Sequence, residues 1–214
     1  MSTSRAVLYK CPYCGKEFEV QVYDTVNADQ DRDLRDRCLS GDLFRESCPH
    51  CKKDFMIQYP LIYMDEAHKF IIWLSTQEAG SQLRKVTAPL ADKGYTLRRC
   101  ETLQEFTEKI SILEDGMNDV LVELAKFDSF IEFIDNKKGT AEDVTSIEYQ
   151  RADNGVIKIN VRTDDKGMSF LIPISMMENE MEENKELYEV ENLDFPLVNS
   201  AWITSLFEET EPQA

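Results

Sequence analysis

Two short stretches constrain this chain more than any other feature: CPYC at residues 11–14 and CPHC at 48–51. Such a tetrapeptide serves either as the dithiol of a thioredoxin-type redox enzyme or as half of a four-thiolate metal site. The residues after each motif separate these two possibilities. A redox CxxC opens a helix, whose dipole and unpaired N–H groups stabilise the thiolate. After Cys14 comes Gly15 and then KEFEVQVYD, in which Phe18, Val20 and Val22 alternate with Glu19, Gln21 and Tyr23. That period of two predicts a strand. After Cys51, KKDFMIQYPLIY is rich in β-branched and aromatic residues and holds Pro60, so it also predicts a strand. Neither motif opens a helix.

A pair of knuckles accounts for the same residues. Two cysteines two residues apart wrap a tight turn around one tetrahedral ion. Pro12 and Pro49 pre-set φ in those turns, and Gly15 permits the positive φ needed after the second ligand. The candidate ligands are Cys11, Cys14, Cys48 and Cys51, and the expected ion is Zn2+. The two pairs stand further apart than the usual ~15–20 residues, so an insertion must bring the chain back to the site. Residues 29–40, DQDRDLRDRCLS, predict a helix in that insertion, with Leu34 and Cys38 on one face and Gly41 as its stop. Cys38 reads as a buried small hydrophobe rather than a fifth ligand. His50 reads as a rim residue, Cys100 as core, and His68 as an exposed residue after a turn.

Charge narrows the function. The chain of 214 residues carries a formal net charge of −17, with 24 Lys and Arg against 41 Asp and Glu. Such a surface repels a phosphate backbone unless a basic face is segregated. Arg32, Arg35 and Arg37 are interleaved with acids, and Arg98 and Arg99 lie in a short predicted strand. Nucleic acid is therefore not the expected partner. No apolar leader precedes Cys11, and no apolar run approaches the roughly 18 residues that span a bilayer. The expected location is the cytoplasm, where paired cysteines mean metal or catalysis before disulfides.

Beyond the second motif, KFIIWLS at 69–75 predicts a buried strand, 77–92 a short helix and GYTLRRC another strand, a strand–helix–strand unit with a parallel pair. Leu103, Phe106, Ile110 and Leu113 mark one amphipathic helix. Val120, Leu121, Leu124, Phe127, Ile131 and Ile134 mark a second, with Lys137 and Lys138 near its end and Gly139 as its stop. From about residue 144 the period returns to two, predicting a three-stranded meander with turns at Asn154-Gly155 and 164–167. SMMENEMEENKEL is an acidic, Met-rich helix or loop, and Ser200 is the expected N-cap of a last helix that anchors Trp202, Ile203, Leu206 and Phe207. The final residues are expected to be disordered.

The stretch KCPYCGKEFEVQVYDTVNADQDRDLRDRCLSGDLFRESCPHC, continuing through YPLIYMDEAHKFIIWL and a later LQEFTEKISILEDGMNDVLVELAK, resembles the CpXC-domain proteins of bacteria and archaea. The resemblance covers roughly residues 9–135. It implies a zinc-binding domain and specifies no cellular role. The chain departs from the family at Lys52, where a glycine is commoner after the second knuckle.

The expected fold class is α+β: an N-terminal four-cysteine zinc ribbon with a helical insertion (1–75), a central α/β-helical segment (76–140) and a C-terminal antiparallel β meander with an anchor (141–214). The expected function is a non-enzymatic structural or protein-interaction module with a protein partner. A closed thiolate site leaves no coordination position for water, and two histidines give a hydrolase little to build from. The alternatives are a thiol-based redox switch that releases zinc, a nucleic-acid-binding ribbon, and an enzyme in the α/β body. The sequence leaves the oligomeric state open.

Overall fold

A computed structural model describes residues 1–208 apart from 137 and 154. The fold is α+β, and its elements form two compact units. Unit 1 comprises Met1–Ser111 with Asn192–Pro196, and unit 2 comprises Ile112–Glu191 with Leu197–Ala214. Among the described residues no helix is long and apolar enough to cross a membrane. The expected turn residue Asn154, the helix-end Lys137 and the expected disordered tail lie outside the described residues.

Unit 1 is organised by a five-stranded mixed sheet in the order β1-β2-β5-β6-β7. β1 (Thr3–Lys10) and β2 (Glu17–Asn27) form an antiparallel hairpin, and the first CxxC is its turn. β2 runs on to pair in parallel with β5 (Leu61–Asp65) through Thr25–Asn27. Its alternation buries Val20 and Val22 and exposes Glu19 and Gln21, as the sequence predicts. β1 is not among the elements that the sequence pattern predicts. Its residues are exposed except for half-buried Val7 and Tyr9, so it lacks a buried stripe to announce it.

Between the knuckles lies helix α1 (Arg32–Ser40), which buries Cys38 and stops at Gly41 with φ 76°. Leu43 and Phe44 come next in a buried turn. The second knuckle is the turn of a short hairpin, β3 (Arg45–Ser47) with β4 (Asp54–Met56). The single strand expected after Cys51 is two: the chain breaks at residues 57–60, where Ile57 turns back to donate to the Phe44 carbonyl at 2.8 Å, before β5 begins. Phe44, Tyr59, Tyr63, Phe70 and Phe106 form a chain of ring contacts through this part of the core.

β6 (Phe70–Leu74), helix α2 (Ser81–Ala91) and β7 (Thr96–Cys100) give the expected unit, and β6 and β7 pair in parallel. Continuous apolar sequence in β6 matches burial on both faces. The segment Asn192–Pro196 then covers the outer edge of β7. Asn192 Oδ1 accepts from the Leu97 N–H at 2.8 Å, Asn192 Nδ2 donates to the Tyr95 carbonyl at 2.6 Å, and the Pro196 carbonyl accepts from Arg99 N–H at 3.1 Å. Phe195 is buried against Trp73 and Leu97. Helix α3 (Leu103–Glu114) buries Phe106 and Ile110, and Leu113 is half-buried.

In unit 2, helix α4 (Asp119–Asp135) packs on an antiparallel meander of β8 (Val144–Arg151), β9 (Val156–Thr163) and β10 (Gly167–Pro173), with β9 central. Ile157, Ile159 and Val161 of β9 are buried with Val120, Leu121 and Leu124 of α4. The expected stripe is wrong at its far end: Ile131 is 40% exposed, and the buried residue there is Phe133. α4 also ends at Asp135, earlier than the expected stop at Gly139. The acidic Met-rich stretch is helical, as α5 (Ile174–Glu183). Helix α6 (Ser200–Glu208) buries Ile203 and stacks Phe207 on Phe127 with ring centroids 4.5 Å apart. Its cap is Asn199, whose side-chain oxygen accepts from Trp202 N–H at 3.0 Å; Ser200 is the first helical residue instead. Asn and Ser cap comparably well, so local preference cannot decide between neighbours.

Candidate metal centre

The two knuckles are near copies of one another, CPYCGKEF and CPHCKKDF. Their backbones repeat the same bonds. In the first, Gly15 N–H donates to the Cys11 carbonyl at 2.9 Å and Cys11 N–H to the Lys16 carbonyl at 3.0 Å. In the second, Lys52 N–H donates to the Cys48 carbonyl at 2.9 Å and Cys48 N–H to the Lys53 carbonyl at 3.0 Å. Both loops need a left-handed residue after the second cysteine. Gly15 has φ 71°, and Lys52 adopts φ 60° without being glycine. The departure at Lys52 therefore leaves the turn intact at the expense of local strain.

The loops bring all four expected cysteines together. The sulfur atoms of Cys11, Cys14, Cys48 and Cys51 lie within 4.8 Å of one another. Cys11 Sγ is 3.7 Å from Cys51 Sγ, and Cys14 Sγ is 3.7 Å from Cys48 Sγ. The first cysteine of each pair is buried, whereas Cys14 is exposed and Cys51 half-buried. Thiolates bound tetrahedrally at about 2.3 Å stand about 3.8 Å apart along each edge. Two edges of the sulfur cage have that length and the others stay within 4.8 Å, so the donor set fits a four-coordinate soft or borderline metal ion.

The surroundings also treat the sulfurs unequally. Burial opposes ionisation of Cys48, but the backbone N–H groups of Cys51 and His50 and the thiols of Cys11 and Cys51 outweigh it and lower its pKa to about 6. At Cys14 the Lys16 backbone N–H lowers the pKa, but desolvation and the thiols of Cys11, Cys48 and Cys51 together raise it to about 11. In the first knuckle the matching backbone donor is Tyr13 N–H, 3.4 Å from Cys11 Sγ.

An aromatic cluster holds the two hairpins in register, and sequence reasoning missed it. Phe55 of β4 stacks on Tyr9 of β1 at 5.6 Å and meets Phe18 of β2 edge-on at 6.3 Å. Tyr13 touches Phe55 from the first loop, and Lys53 Nζ sits 4.8 Å over the Tyr13 ring. The signal was available in the repeat, since Phe18 and Phe55 each come at the same offset after their knuckle. The remaining candidates stand where expected. Cys38 and Cys100 are buried in the core outside the cluster. His50 is exposed and turns its Nε2 to the Glu17 carbonyl at 3.3 Å, away from the sulfurs. His68 is exposed, with Nδ1 2.8 Å from buried Asp65.

The family model described as CpXC protein matches residues 9–126, which takes in both knuckles and more than half of the chain. The chain belongs to the CpXC family. No curated protein and no solved structure matches it. In this CpXC protein the matched region takes in the last two residues of β1, all of β2 to β7, α3 and the first turns of α4.

Proposed function

We propose that Cys11, Cys14, Cys48 and Cys51 hold one Zn2+ ion, and that this CpXC protein works in the cytoplasm as a non-enzymatic protein-interaction module. The observation that carries the reading is the pair of 3.7 Å sulfur distances across the knuckles, which match one tetrahedron of thiolates. Bound there, zinc supplies a cross-link between the β1–β2 and β3–β4 hairpins. The residues do the rest: the aromatic cluster aligns the hairpins and the backbone N–H groups of each loop stabilise thiolate charge. A closed four-thiolate site has no open position at which to activate water. The test is elemental mass spectrometry on protein purified without chelator, beside Cys48→Ser. One zinc per chain, lost in the variant, is the expected result. Iron, or no metal at all, overturns it.

The same distances favour one second reading. Each cross-knuckle pair is close enough to form a disulfide once the ion leaves, so peroxide can take two electrons from the thiols and release zinc. Zinc release by mild peroxide, reversed by a thiol reductant, supports a redox switch. Retention of zinc at peroxide levels that oxidise free thiols removes it.

A further inference from the structure

We propose that the outer edge of β1 takes an extended, acidic peptide segment of a partner protein as an added strand. This rests on the protein-interaction reading and names the surface and the chemistry of the partner.

The two edges of the five-stranded sheet are treated differently. β7 is covered by the Asn192–Pro196 segment, which satisfies its backbone through Asn192 and Pro196. At the other end, β1 pairs only with β2, and among the described residues no backbone group of residues 4–9 bonds anywhere else. Proteins protect such an edge with proline, charged side chains, bulges or a cover, and among the described residues β1 has none of these between Ala6 and Tyr9. β1 is an eight-residue strand without proline, and its one irregularity lies at Thr3/Ser4. From Ala6 to Tyr9 it carries no charge, and Leu8 is 76% exposed. This is the geometry of strand addition, in which backbone bonds supply affinity and side chains supply selectivity.

Charge selects the occupant. Unit 1 holds 16 basic and 18 acidic residues, net −2, so nearly all of the net charge of −17 belongs to unit 2. β1 carries Arg5 and Lys10 and no acid. Around its knuckle end stand Lys16, Lys52 and Lys53, and none of these three or Lys10 makes an ion pair among the described residues. The acids beside β1 are on β2, one strand inward: Asp24, 3.0 Å from Arg5, Glu19 opposite Leu8, and Glu17 opposite Lys10. A second copy of β1 would set base against base, whereas an acidic strand continues the alternation of opposite charges from strand to strand. Exposed Leu8 and Tyr13 give apolar side chains of that strand a place to pack.

The test uses full-length protein whose zinc content is verified, so that a lost metal centre is not mistaken for a lost edge. The probe is a fluorescein-labelled peptide alternating Glu and Val, matched in length to β1. The expected result is saturable binding that weakens with salt, with slowed amide exchange at residues 4–9. Leu8→Asp and the combined Lys10→Glu, Lys16→Glu variant should each weaken it about tenfold or more, with zinc retained. Zinc-loaded protein that ignores the peptide, binds a Lys/Val counterpart equally well, shows protection away from β1, or prefers an oligouridine overturns this inference and leaves the interaction reading standing. A chain without zinc overturns the reading beneath it.

Discussion

Replacing Lys52 with glycine should strengthen the second knuckle, and replacing Gly15 with alanine should weaken the first. The two residues occupy matching places, each donating its N–H to the carbonyl of the first cysteine of its loop. Lys52 sits at φ 60°, where an L side chain costs about 1–2 kcal/mol. Glycine removes that cost but gives up about 0.5–1 kcal/mol to the greater freedom of the unfolded chain. The net gain is about 0.5–1 kcal/mol. Gly15→Ala carries the opposite sign and similar size. A Cβ there meets only Lys10 Cε at 3.8 Å, an ordinary contact, so the penalty is conformational rather than steric. Because an ion holds only the folded knuckle, these energies appear in metal affinity as roughly a two- to fivefold change in dissociation constant. Competition against a chromophoric chelator at fixed pH measures it. Weaker metal binding by Lys52→Gly, or no change in Gly15→Ala, would show that the left-handed strain is not part of the site's energetics.

Three further outcomes test the fold within each unit. Asn199→Ala should cost about 1 kcal/mol of unit 2 stability in urea, because it removes the acceptor for Trp202 N–H, whereas Ser200→Ala should be nearly silent. Asn192→Ala should cost about 1–3 kcal/mol and speed amide exchange at buried Leu97, whose N–H loses its acceptor. Asp143 has its pKa lowered by the Thr140 backbone N–H and then by the Thr140 hydroxyl. A carboxylate depressed in the folded state contributes stability above its unfolded pKa and loses it as pH falls through the folded one. Thr140 amide protection should therefore persist at neutral pH and fade below about pH 4, and Asp143→Asn should flatten that profile.

What could be read from the chain was what local rules govern. CPYCGKEF and CPHCKKDF announce two knuckles because Pro, Gly and paired Cys fix a turn irrespective of what surrounds it. The strand after Cys14, the helix stopped by Gly41 and the parallel strands β6 and β7 come from periodicity and its punctuation. The same rules name Cys11, Cys14, Cys48 and Cys51 as one group, and the folded chain gathers them. They failed where burial is one-sided or partners are remote. β1 has only two half-buried residues, so its pattern is silent, and it exists because β2 offers it an edge. Ile131 has the spacing of a core residue, yet Phe133 is the one buried there; spacing fixes a face and does not say how far along it the packing reaches. Tertiary structure alone decided that Phe55 would close against Tyr9 and Phe18, and that Asn192 would return to cover Leu97 from 95 positions further along the chain. Local conformation is set by each residue and its neighbours, whereas these pairings depend on which surfaces the folded chain brings within reach.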